Sequence, residues 1–369
     1  MNRRLIWMLA LIVVFVAAGC GGKSMKDAGE PLEPGEEAEE PVPTGPDADM
    51  ILYNQGVDAA RSGEIKRAEN RFGHAVEANP NMVEAWLNLG VARTKLGKSD
   101  QAVDALQRAM TINPNYPGVR TALGAALAEA GRQSEALGVL NQAVASNPSD
   151  LEAKNDVGAV YLSMGRYREA ETLFREVIAE DVSIVDAHVN LARVYHNQGK
   201  TEMAITILNN AQGYAESSEL HNNMGQYYTA LADWGRARDA FRKAVNADPG
   251  NAAAQGNLGA MNIKLKDLDG AREALETAVK LDSNIAQVQT NLATILRADG
   301  DADGAKEHLE RAIALDPQMA EAYLNLGILY EIDFDDKSQA VANYQRYLGY
   351  ATDGERKAQV QEWVTRLSK

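Results

Sequence analysis

One pattern governs residues 49–351. A Gly recurs with an Ala twelve residues on and, in most copies, a Pro twelve after that: Gly56/Ala68/Pro80, Gly90/Ala102/Pro114, Gly124/Ala136/Pro148. The copies step by 34 residues, with single-residue slips, and there are nine, beginning at 49, 83, 117, 151, 185, 218, 252, 286 and 320. A period of this length marks a small unit repeated in tandem, each copy burying its apolar face against its neighbours. Such an array leaves almost no chain for a separate domain, so function must lie on the surface of stacked units. The apolar fraction is 45% but aromatics are only 6%. That composition predicts a core of Ala, Leu and Val between closely approaching helices.

With the Gly placed at position 8 of 34, position 8 is Gly or Ala in every copy. Position 20 is Ala68, Ala102, Ala136, Ala170, Ala204, Ala237, Ala271 and Ala305, and position 27 is mostly Ala again. Small residues at 8, 20 and 27 let two helices approach, and larger ones at 4, 7, 11 and 24 fill the gaps. The Pro at 32 stops the second helix, because it cannot continue the hydrogen-bond ladder. This Leu-Gly, Ala, Phe/Leu, Ala, Pro skeleton resembles the tetratricopeptide repeat (TPR), a helix–turn–helix unit. The resemblance implies an all-α fold: a right-handed superhelical solenoid of about nine TPR helix pairs over 49–351. A C-terminal capping helix over 352–369 follows, with Val360, Trp363, Val364 and Leu367 at i, i+3, i+4 and i+7. The pattern departs from itself at Val182 and Gly213, at the single-residue deficit before Leu220, and at the insertion in Asp333-Phe334-Asp335-Asp336. These departures read as drift in solvent loops or as a change in curvature of the groove.

The N-terminus differs in kind. Asn2-Arg3-Arg4 is basic, Leu5 to Val16 is uncharged and apolar, and Ala17-Ala18-Gly19 precede Cys20, the single Cys of the chain. Residues 1–19 have the layout of a secretory signal peptide. The small residues before Cys20 resemble a bacterial lipobox, with Ala17 where Leu is commonest. The resemblance implies that Cys20 is acylated and anchors the mature chain. A plain secretory signal with an incidental Cys is the alternative. Gly21 rather than Asp follows the Cys, which for a Gram-negative host implies the outer membrane. Residues 20–48 are expected to be a tether. They carry five Pro and the acidic cluster Glu36-Glu37 and Glu39-Glu40; Pro and like-charge repulsion extend such a chain to a reach of roughly 90 Å.

The chain's net −15, less the −7 of residues 21–49 and the +2 of Arg3 and Arg4, leaves −10 on residues 50–369. An acidic solenoid disfavours nucleic acid as a partner, since phosphate contacts need clustered Lys and Arg. Several motifs resemble chemistry. Asp299-Gly300-Asp301-Ala302-Asp303-Gly304 with Glu310 fits a calcium-loop expression. The repeat register instead places Asp303 to Glu310 in a helix, so calcium is kept only as the alternative function. Gly97-Lys98-Ser99 and Gly199-Lys200-Thr201 echo a phosphate loop but lack its earlier Gly and its strand. His188 and His221 occupy position 4, which faces the core. No catalytic constellation survives the register, and no enzyme, metal or cofactor is expected.

In TPR proteins the first helix of each pair lines the concave face, with positions 2, 5, 6, 9, 12 and 13 pointing into it. Position 6 is Asn in seven of nine copies: Asn54, Asn88, Asn190, Asn223, Asn257, Asn291 and Asn325. An amide both donates and accepts, so a row of them suits the backbone of an extended peptide. The row is similar to the asparagine ladder of O-linked N-acetylglucosamine transferase, and Asn is also the common residue at position 6 of these repeats generally. Because the side chains are expected to face the groove, their loss should cost little folding stability. The Lys or Arg at positions 2, 5 and 6 with which chaperone-binding relatives clamp a carboxylate are absent. The expected function is a lipid-anchored scaffold at the periplasmic face of an outer membrane, binding protein segments in its groove. It resembles bacterial repeat lipoproteins that serve pilus-secretin, gliding-motility or wall-hydrolase assemblies.

Overall fold

The computed structural model describes residues 42–45, 47–214 and 217–368. The signal, Cys20 and nearly all of the tether therefore lie outside the described residues. The described chain holds 19 α-helices and no strand, and none of these helices is long and apolar enough to cross a membrane.

The helices divide between two compact units that meet in sequence at Lys200 and Thr201, within the fifth copy. The first unit contains α1 (Ala48–Arg61), α2 (Ile65–Ala78), α3 (Val83–Lys95), α4 (Ser99–Ile112), α5 (Val119–Glu129), α6 (Gln133–Ser146), α7 (Leu151–Ser163), α8 (Tyr167–Glu180) and α9 (Val185–Asn197). The second contains α10 (Thr201–Ala211), α11 (Ser218–Ala230), α12 (Trp234–Ala247), α13 (Ala252–Lys264), α14 (Leu268–Leu281), α15 (Ala286–Ala298), α16 (Ala302–Leu315), α17 (Ala320–Ile332), α18 (Lys337–Tyr350) and α19 (Gly354–Leu367). Within each unit consecutive helices pair and the pairs stack, as in a TPR solenoid.

The small residue at position 8 is dictated by position 24 of the same copy. A Cβ on Gly124 would sit 2.3 Å from Leu140 Cγ, and one on Gly56 would sit 2.6 Å from the Phe72 ring. Gly90, Gly158, Gly225, Gly259 and Gly327 meet Leu106, Phe174, Phe241, Leu275 and Tyr344 in the same way. Position 20 is fully buried at Ala68, Ala102, Ala136, Ala170, Ala237, Ala271 and Ala305. Close helix approach thus follows from the absence of side chain at two positions.

The turn between paired helices is equally regular. Position 15 is left-handed at Gly63, Gly97, Gly131, Gly165, Gly199 and Gly300, and also at Ala232 (φ 58), Lys266 (φ 65) and Asp335 (φ 52). Three non-Gly residues therefore hold a backbone that Gly adopts at lower cost. In the second unit the next residue is an Asp that caps the following helix. Asp233, Asp267, Asp301 and Asp336 accept from the backbone N–H of Arg236, Gly270, Gly304 and Gln339. Four of the corresponding residues of the first unit, Glu64, Lys98, Arg132 and Arg166, make no such bond.

α19 closes the second unit. Val360 and Val364 are buried against Tyr344 and Tyr347 of α18, and Trp363 lies with its ring centroid 5.5 Å from that of Tyr344. Arg366 reaches Glu331 at 2.6 Å, and Glu331 accepts the Tyr344 hydroxyl at 2.8 Å.

Candidate functional site

Position 6 lies on the first helix of each pair, and its amides reach toward the preceding repeat. Asn88 Nδ2 donates to Tyr53 Oη at 3.3 Å, Asn190 Nδ2 to Asn155 Oδ1 at 3.3 Å, and Asn257 Nδ2 to Asn222 Oδ1 at 3.0 Å. In each case the partner stands 35 residues earlier, at position 5 of the preceding copy. One N–H of each of these amides ties neighbouring repeats together; Asn88 keeps its other N–H and its oxygen, and Asn190 keeps its other N–H. Asn223 Nδ2 instead donates to the Glu219 carbonyl at 3.0 Å.

These bonds correct the expectation that the row is dispensable for folding. Asn54 is exposed and Asn88 and Asn190 are half-buried, but Asn223, Asn257, Asn291 and Asn325 are buried. Removing Asn257 strands the buried carbonyl of Asn222, a cost that a solvent-facing amide does not carry. Both amide atoms of Asn325 are buried without a hydrogen-bond partner.

At the fourth copy Asp156 takes the place of Asn. Burial first, and then the nearby Glu152, Asp150 and Asp186, raise its pKa to about 7, against a hydrogen bond from Asn155. The carboxyl therefore holds its proton to a far higher pH than an ordinary Asp. In that form it carries one donor and an acceptor, much as the amide it replaces. Beside it Arg193 Nη1 donates to Asn190 Oδ1 at 3.4 Å, so Asn155, Asn190 and Arg193 form one polar chain.

Between the first helices of copies one and two the same face opens into a recess of about 250 Å³. Val57, Ile65, Phe72 and Val91 line it, Asn88 stands in its wall, and Arg61 and Lys95 lie at its rim. Val57 and Val91 are both position 9, and Arg61 and Lys95 both position 13. Arg61 and Lys95 are exposed, and neither forms an ion pair among the described residues. A screen of positions 2, 5 and 6 for cations misses them; reading position 13 finds them. A second, more polar recess of about 510 Å³ lies along α2, between Lys66, Glu69, His74, Glu77, Arg93 and Lys98. There Glu69 already holds Arg93 at 3.4 Å and Lys98 at 2.7 Å.

The calcium alternative does not fit the geometry. The Asp301 carboxylate is spent on the Gly304 N–H, Asp299 is paired with Arg272, and Glu310 lies along α16, 3.8 Å from Lys306. No group of three metal-binding side chains converges among the described residues. Gly97-Lys98 is likewise an interhelical turn, with Gly97 left-handed and the Lys98 ammonium on Glu69. His188 and His221 are buried core residues; the His188 ring lies 3.0 Å from the Val182 carbonyl oxygen.

Stacked helix pairs with polar rows along their first helices define a helical-repeat interaction scaffold, a fold that is not itself catalytic. The chain belongs to a TPR family: the profile described as the Cilia and flagella-associated protein 70 C-terminal domain matches residues 56–223 and 145–363. The overlap of the two matches is what a repeated unit produces. No curated protein sequence matches the chain. Among solved structures, a chain of the APC/C hetero-tetramer Cut9–Hcn1 is similar, with a TM-score of 0.62 and 16% identity, over 88% of this chain and 63% of that one. PilF of Pseudomonas aeruginosa is similar with a TM-score of 0.51 and 20% identity, over 57% of this chain and 96% of its own. At such identities the likeness is one of fold.

Proposed function

We propose that the protein is a lipid-anchored scaffold of a bacterial envelope, holding extended segments of partner proteins along the first helices of its repeats. The observation that carries the binding reading is the row of position-6 amides. Asn54, Asn88 and Asn190 keep hydrogen-bonding groups available to a ligand, at a spacing fixed by the repeat. A ligand gripped through its backbone needs no particular side chain at those points, which suits a scaffold. Acylation of Cys20 and an outer-membrane, periplasmic location rest on the sequence before and after that residue. A tether of roughly 90 Å reach would hold the repeats clear of the membrane.

Two experiments test the two halves. Asn54, Asn88 and Asn190 replaced together by Ala should weaken a partner captured from the envelope by about tenfold or more, at roughly 0.5–1.5 kcal/mol per bond. Full affinity in that variant sinks the amide reading. Cys20→Ser should give an unprocessed or soluble form; a variant that still fractionates with the outer membrane at high salt rules out the lipid anchor.

A further inference from the structure

The recess between copies one and two has a more specific chemistry than the amide row. Its floor is apolar: Phe72 is buried, and Val57 and Val91 are half-buried with faces open to it. Its volume of about 250 Å³ lies below the 300–1,000 Å³ of small-molecule pockets and suits one or two side chains. At its rim stand Arg61 and Lys95, two exposed cations with no carboxylate partner among the described residues, in a stretch (50–369) that carries a net −10. Both lie in the last turn of their helices, where the dipole favours a cation. The dipole accounts for a positive charge at each site but not for an apolar hollow between the two. Asn88 has given one N–H to Tyr53 and keeps the other N–H and its oxygen.

We propose that this recess binds a segment of a partner protein in which a bulky apolar residue is flanked by Asp or Glu. The apolar side chain enters between Val57, Phe72 and Val91, the flanking carboxylates meet Arg61 and Lys95, and Asn88 pairs with a backbone group beside the apolar residue. Charge complementarity selects this occupant: a basic segment meets two like charges, and a polar neutral one leaves the floor wetted. The assignment rests on the scaffold reading above and narrows it to one partner chemistry at one pair of repeats.

The probe is a short labelled peptide, blocked at both ends, with a central Leu-Phe pair and two Glu on either side. Its binding to the full chain is read by fluorescence anisotropy. Replacing Leu-Phe by Ser-Ser, or the Glu by Lys, should each weaken binding by about tenfold or more. The protein variant Arg61→Glu with Lys95→Glu should do the same and should reverse the sign of the salt dependence, since salt then screens a repulsion instead of an attraction. Both positions are exposed, so the variant should fold; an unchanged helical circular-dichroism spectrum checks this, and the peptide arms do not perturb the protein at all. Equal binding of the Glu and Lys peptides, or an unaffected double variant, overturns the proposal. If the double variant nevertheless loses nothing for an envelope partner that the Asn54, Asn88 and Asn190 triple variant does lose, the recess assignment fails while the scaffold reading stands. If replacing Glu36, Glu37, Glu39 and Glu40 by Gln tightens probe binding several-fold, the occupant is this chain's own acidic segment and the partner assignment falls.

Discussion

Asn257→Ala separates the structural work of the position-6 row from its binding work. Asn257 is buried and its Nδ2 donates to the Oδ1 of Asn222, which is 2% exposed. The substitution leaves that carbonyl without this donor in a site that solvent barely reaches. A buried polar group deprived of its partner costs about 1–3 kcal/mol. Asn54→Ala is the control: the residue is exposed, and a surface change of this kind stays within about 0.5 kcal/mol. A solenoid need not unfold in one step, so a single midpoint is a poor measure. Native-state hydrogen exchange reads the loss locally. Amides of α11 and α13 should lose roughly five- to 150-fold in protection, the equivalent of 1–3 kcal/mol, while those of α1 and α3 should not change. The double-mutant cycle with Asn222→Ala should give a coupling of about 0.5 kcal/mol or more. A coupling indistinguishable from zero, or equal effects of Asn257→Ala and Asn54→Ala, would refute the inter-repeat role.

Two further substitutions follow from the geometry. Asp156 has a folded pKa raised to about 7 from 3.8, so the folded state retains a proton that the unfolded state releases. Its contribution is therefore neutral below about pH 3.8, becomes increasingly unfavourable up to about 7, and is constant above. Asp156→Asn should remove that pH dependence and stabilise the chain above pH 7, with an upper bound of about 4 kcal/mol at 1.36 kcal/mol per unit; a pH–stability series by chemical denaturation, identical for the two proteins, would refute it. Lys266→Gly relieves a left-handed non-Gly backbone at φ 65 and should raise stability by about 0.5–1 kcal/mol once the entropy of the unfolded Gly is set against it; calorimetry showing a loss would refute the strain.

The period was enough to read the fold. Gly at 8, Ala at 20 and Phe or Leu at 24 are three views of one contact, and the structure places Gly56 over Phe72 and Gly124 over Leu140 accordingly. The turn was legible where position 15 is Gly. It was hidden where it is Ala232, Lys266 or Asp335, because the backbone there is set by the repeat and not by the residue. The site was legible only by position. Register named the seven Asn but not their bonds: for Asn88, Asn190 and Asn257 the partner lies one copy back at position 5 and changes identity from Tyr53 to Asn155 to Asn222. The Arg61 and Lys95 pair escaped because it depends on two neighbouring copies sharing a charge at position 13 over a common apolar floor. Cys20 and the acidic tether remain expectations from sequence.

The central claim is that partners lie against the first helices of the repeats. Its most direct test is photo-crosslinking in intact cells, with a crosslinking residue placed at Val57 or Val91 and, as the outer-face control, at exposed Asp104 on the second helix of the second pair. The first two should yield a discrete crosslinked protein that disappears when Arg61 and Lys95 are reversed together with Asn88→Ala. Crosslinks from Asp104 alone, with none from Val57 or Val91, would place recognition on the opposite face and contradict the account.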